Sequence, residues 1–150
     1  MANLFAASYL PIGKCFIDNL LFFCYTLIKE VIFVREDKLS VQSIDFAVSI
    51  INLVRELKEK RESIMSNQIG RSGTSIGANI REAQYAHGKA DFIAKLQIAL
   101  KEANETGYWL ELLRKTEYID EVLYAKLESE CKSIRAMLVS SINTAKSNSR

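Results

Sequence analysis

The sequence predicts an all-α fold: an antiparallel up-down-up-down four-helix bundle carrying an additional apolar N-terminal segment. Two observations lead to this expectation. From Ser40 onward, apolar residues recur at steps of three and four through four successive stretches, the spacing that places them on one face of a helix. The connectors between these stretches are short and no stretch alternates with the period of a strand, so consecutive helices are expected to pack as antiparallel neighbours. Within 150 residues, 49% hydrophobic and 25% charged with Pro11 as the single proline, one bundle domain at 35–150 is expected after an apolar extension at 1–34.

The extension is aromatic and almost uncharged from Phe16 to Ile28, and Lys29-Glu30 separates that run from Val31–Val34. The uninterrupted apolar piece is about half the ~20 residues a bilayer span requires, and a basic start with a small-residue cleavage site is not evident. A membrane span and an export signal are therefore both disfavoured. Two readings remain: a helix or hairpin packed on the bundle, or a translated stretch upstream of a start near Val34. We expect the second, which the intact mass of the natively expressed protein would test.

The first helix is expected from an N-cap at Ser40 to about Arg61, with Val41, Ile44, Val48 and Ile51, flanked by Ala47, Ile50, Val54 and Leu57, as its apolar stripe. Its end, Arg55 to Glu62, mixes both charge signs and reads as a solvated face. In the second helix Ile69, Gly73, Ile76, Ile80 and Ala83 share the core stripe. A helix-interior glycine costs ~1 kcal/mol relative to alanine, so Gly73 and Gly77 are expected where two backbones approach closely. The alternative, a phosphate-cradling loop, fits poorly, because "GRSGTSIG" matches neither common glycine-rich nucleotide motif and no strand precedes it. Ser75, Asn79 and Glu82 recur beside the stripe as a polar edge placed to hydrogen-bond across a helix seam. Arg71 and Arg81 point further outward.

His87-Gly88 ends the second pattern, and Asp91 supplies negative charge to the first turn of the third helix. His87 and Asp91 together suggest an acid–base pair, but with no nucleophile or further ligand nearby a turn role is preferred. The third helix carries Phe92, Leu96, Ala99, Ala103, Thr106, Leu110 and Leu113 on its seam, with Lys101–Glu105 and Glu111–Lys115 as surface pairs. Tyr108-Trp109 can stack on bases, although Trp109 adjoins the seam and is better placed as a core or interface anchor. The fourth helix follows "TEYID" with Leu123, Leu127, Cys131, Ile134, Leu138, Ile142 and Ala145.

Total charge and cysteine usage narrow the function. Lys and Arg number 20 against 18 Asp and Glu, a formal charge of +2, far from the excess of a protein held to nucleic acid mainly by phosphate neutralisation. Cys15, Cys24 and Cys131 are odd in number and widely separated, which fits packing thiols in a reducing cytoplasm rather than a disulfide framework or zinc site. No nucleophile–base arrangement emerges. Glu82, Glu102 and Glu105 are helical carboxylates of the kind that hold paired metals, but the Glu-x-x-His partners are missing, so neither enzyme activity, cofactor nor small-molecule substrate is expected.

The string "TSIGANIREAQYAHGKADFIAKLQIALKEANETGYWLELL", residues 74–113, resembles the bacterial four-helix-bundle family encoded in intervening sequences of large-subunit rRNA genes. Its recognisable elements are Ser75-Ile76-Gly77-Ala78-Asn79-Ile80, Glu82-Ala83, Asp91-Phe92 and Ile98-Ala99-Leu100 with Glu102 and Glu105, and the similarity extends from about Asp37 to Ser147. The resemblance implies a ring-like homo-oligomer, a pentamer. The chain is also similar to the accessory subunit of diversity-generating retroelements, whose ring binds nucleic acid and a reverse transcriptase.

Two functions are carried forward. The first is a non-enzymatic oligomeric module associated with RNA or DNA, using Arg71, Arg81, Lys89, Lys95 and Lys101 as phosphate contacts that position rather than read sequence. The second is a structural adaptor whose assembled ring binds another protein.

Overall fold

The computed structural model describes residues 38–147, and the expectations for residues 1–34 lie outside them. Four helices occupy the described residues, without a strand: α1 (Lys38–Glu59), α2 (Ile64–Gln84), α3 (Lys89–Lys115) and α4 (Glu121–Ser147). Their inward stripes are Leu39, Phe46, Ile50, Leu53 and Leu57 on α1, Ile69, Ile76, Ile80 and Ala83 on α2, Leu96, Ala99, Ala103, Leu110 and Leu113 on α3, and Leu127, Cys131, Ile134, Leu138 and Ile142 on α4. Removing each large aliphatic side chain from water contributes ~1.5–3 kcal/mol, the main favourable contribution to folding.

Pairs of touching residues show how the helices run. Ser43, Ile50 and Val54 of α1 meet Gly77, Gly73 and Gly70 of α2. On the next seam Arg71 reaches Glu105 and Lys95 reaches Glu82. Cys131 donates to the Ala103 carbonyl and Arg114 bonds Glu121 across α3 and α4, while Ser133 of α4 bonds Gln42 of α1. On each of the three consecutive seams the residue numbers rise along one helix as they fall along its neighbour.

The α1 stripe differs from the sequence expectation. Phe46, Ile50, Leu53 and Leu57 turn inward, whereas Ile44, Val48 and Ile51 remain 50%, 52% and 41% exposed. Helix α1 has apolar residues on most of its circumference, and the larger Phe46 and Leu residues take the core. Ser40 is also no N-cap: it lies in the third position of the described helix, where its hydroxyl accepts from Gln84 Nε2 at 2.8 Å.

Two chain reversals use left-handed residues that are not glycine. Arg61 and Glu117 both have φ near 60°. Around Arg61, the amides of Arg61 and Glu62 bond the carbonyls of Lys58 and Leu57; around Glu117, those of Glu117 and Tyr118 bond Arg114 and Leu113. Each pattern closes a helix C-terminus in the Schellman arrangement. Lys60 Nζ, donating to the Tyr118 carbonyl at 2.7 Å, ties these two turns together.

Glu62 is the main departure from the expected solvated face. It is buried, and its carboxylate accepts from the amides of Ile64, Met65 and Ser66 at 2.9, 3.0 and 2.7 Å. Those amides have no partner within their own helix, and a negative charge at a helix N-terminus is favourable. Helix α3 starts differently, with Asp91 Oδ2 accepting from the His87 amide at 3.1 Å. The His87–Asp91 contact is thus a backbone cap.

Candidate functional site

The small residues of α2 bring its backbone against α1. A Cβ added at Gly73 would stand 2.9 Å from both γ carbons of the fully buried Ile50; at Gly77 it would stand 3.3 Å from Ser43 Oγ. Residues 64–84 are one continuous helix rather than a loop around an anion. The glycines therefore set the α1–α2 spacing, while Arg71, Ser72 and Glu82 of α2 bond its other neighbour, α3.

Across the α2–α3 seam, the buried polar contact joins Ser72 and Thr106, whose hydroxyls lie 3.0 Å apart. The expected edge of Ser75, Asn79 and Glu82 behaves otherwise. Asn79 donates to the Ser75 carbonyl within its own helix at 2.8 Å, and of the three it is Glu82 that reaches α3, accepting from Lys95 Nζ at 2.5 Å. Half-buried Ser and Asn side chains on a helix can bond their own preceding turn, which competes with cross-helix bonding.

Ion pairs redistribute the five predicted phosphate contacts. Arg71 is held by Glu105, with Glu102 Oε2 3.9 Å from its other terminal nitrogen. Trp109 Nε1 donates to the same Glu105 at 3.4 Å, so Glu105 is taken by Arg71 and Trp109 instead of the expected Lys101. The partly exposed Lys95 is held by Glu82, whose hydrogen bond and charge, with Asp91 adding a smaller effect, raise the Lys95 pKa above the ordinary lysine value. Lys89 is exposed at the start of α3. Arg81 and Lys101 are exposed and have no ion pair among the described residues.

Of the five, Arg81 and Lys95 meet at one end of the seam. There Arg81, Glu82, Tyr85, His87, Asp91 and Lys95 line an open depression of about 480 Å³ at the α2–α3 turn. Tyr85, one turn beyond Arg81, is 78% exposed. Sequence reasoning assigned no role to Tyr85, although a large aromatic four residues after an arginine at a helix end was the signal.

Of the carboxylates considered as metal ligands, Glu82 is paired with Lys95 and Glu105 with Arg71, while Glu102 Oε2 lies 3.9 Å from Arg71 without a hydrogen bond. Among the described residues no group of three or more His, Cys, Asp or Glu is placed to hold a metal ion, and no helix is long and apolar enough to cross a membrane. On the far side of α3, Gly107 leaves room for the Arg135 guanidinium, which bonds Glu128 at 2.6 Å; a Cβ at 107 would stand 2.6 Å from Arg135 Nη1. Burial pushes the nearby Cys131 thiol up to about 11, keeping it protonated and unreactive at neutral pH.

A family model described as 23S rRNA-intervening sequence protein matches residues 35–140. A crystal structure of a protein of unknown function from the S23 ribosomal protein family of Bacteroides thetaiotaomicron is similar at 55% identity and a TM-score of 0.69, covering 69% of this chain and 97% of that one. No curated protein matches.

Proposed function

Since this chain belongs to the 23S rRNA-intervening sequence protein family, we propose that it is a non-enzymatic, cytoplasmic accessory module that self-associates, as a pentameric ring by family resemblance, and binds RNA weakly. The observation that carries the reading is the α2–α3 end, where unpaired Arg81 shares an open depression with Lys95, exposed Tyr85 and His87. Cations beside exposed rings suit a nucleic-acid strand, through phosphate attraction and stacking. With Arg71 and Lys95 engaged by carboxylates, few cations remain for phosphates, and affinity should be in the range of non-specific complexes, Kd about 10⁻⁴–10⁻⁶ M.

Titrating the protein into labelled RNA at about 50 and 200 mM salt tests this. Binding that weakens steeply with salt and weakens further in Arg81→Gln supports it; absence of binding at low salt, or tight binding indifferent to salt, rejects it. The adaptor reading is favoured by a different observation, the exposed Ile44–Val48–Ile51 stripe on α1, since contiguous apolar surface marks association sites. Retention of one stoichiometric protein from nuclease-treated lysate, lost in Val48→Glu, would support that reading.

A further inference from the structure

We propose that the depression at the α2–α3 turn takes one unpaired guanine of single-stranded RNA, stacked on Tyr85 and held along its Watson–Crick edge by the Asp91 carboxylate. The inference rests on the RNA reading and goes beyond it, from phosphate attraction to recognition of a base. Charge is the first argument. The lining holds two cations, Arg81 and Lys95, and two carboxylates, Glu82 and Asp91, so with His87 neutral its formal charge is zero. Beyond the single phosphate that unpaired Arg81 can hold, a run of phosphates gains little from such a surface, whereas a neutral base meets no net repulsion there.

The groups still able to bond select the base. Glu82 is neutralised by its ion pair with Lys95 at 2.5 Å, whereas Asp91 has no ion pair among the described residues. Asp91 Oδ2 accepts the His87 amide, but an ionised carboxylate has about four acceptor sites, leaving capacity for two adjacent donors. Guanine presents N1–H and the N2 amino group side by side. Adenine and cytosine each place an amino group next to a ring acceptor that a carboxylate repels, and uracil has one N–H between two carbonyls. Tyr85, 78% exposed with Arg81 one turn before it, offers the stacking surface, and Arg81 can contact a flanking phosphate. Paired bases hide this edge, so recognition is of single strands.

The test uses fluorescence anisotropy of the full chain at low salt with a labelled uridine octamer, the same octamer with one central guanosine, inosine, adenosine or cytidine, and a duplex of equal length. The guanosine octamer should bind at least about fivefold tighter than the others, a discrimination at the low end for a good bidentate contact. Inosine, which lacks the N2 amino group, should return binding to the uridine level. Asp91→Asn should remove the guanosine preference while leaving the weaker salt-dependent binding, whereas Tyr85→Leu should remove the preference and also weaken binding of every single-stranded octamer. Asparagine retains an acceptor for the His87 amide, and unchanged helical circular dichroism would verify the fold. Equal binding of all octamers, or a guanosine preference that survives both substitutions, overturns the base site and leaves the RNA reading standing. Failure of every RNA to bind at low salt overturns both.

Discussion

Gly73→Ala offers a direct measure of how closely α1 and α2 must approach. On an exposed helix the change would stabilise by ~1 kcal/mol through helix propensity. Here the new methyl would lie 2.9 Å from Cγ1 and Cγ2 of Ile50 and 3.3 Å from its Cβ, and Ile50 is fully buried. Those carbons sit at or next to the branch point, so the clash persists unless Ile50 changes rotamer or the helices separate. Overpacking of this kind costs ~1–3 kcal/mol, and because three atoms of one rigid side chain are involved, the upper part of that range applies. The net expectation is a loss of about 1–2 kcal/mol, or about 4–8 °C in Tm at ~4 °C per kcal/mol for a domain of this size. Urea unfolding followed through the single Trp109 would measure it. In an Ile50→Ala background the same methyl enters vacated space, so Gly73→Ala should there be neutral or stabilising. A stabilisation in the parent chain comparable to that at an open site would refute the packing argument.

Replacing Arg61 or Glu117 by glycine should stabilise by about 0.5–1 kcal/mol each in thermal unfolding, since relief of the left-handed strain at φ near 60° exceeds the entropy glycine adds to the unfolded chain. Glu62→Ala leaves three α2 amides without their shared acceptor and should cost about 1–2 kcal/mol in urea titration; an unchanged midpoint would dismiss the cap. Gly107→Ala should perturb stability less than Gly73→Ala by the same measurement, because the obstructing atom is the end of a flexible arginine. Cys131 carries a pH dependence: its folded pKa, raised to about 11 from 9.0, means the unfolded chain loses this proton first. Its contribution, at most about 3 kcal/mol, is full below pH ~9 and fades as pH rises towards 11. Urea midpoints across that window should therefore fall more for the parent chain than for Cys131→Ala.

Helix existence was legible because it is local. The three-and-four spacing of Ile69, Gly73, Ile76, Ile80 and Ala83, or of Leu127, Cys131, Ile134, Leu138 and Ile142, follows from the turn of a single helix, and those residues are the ones buried. The same spacing failed on α1, where two apolar stripes compete and only the volume of the facing core selects Phe46 over Val48. Glu62 was illegible for a related reason. A glutamate in a run of mixed charge looks solvated until the reversal at Arg61 folds it back onto the start of α2.

By itself, the sequence determined four amphipathic helices, the burial of glycine on the α2 stripe and a near-neutral charge, since each depends on composition or on neighbours within a few residues. Tertiary structure alone decided which charges cancel. Arg71 with Glu105, Lys95 with Glu82 and the place of Arg135 over Gly107 all depend on the register between helices. That register is set by packing of whole faces, and no single helix encodes it.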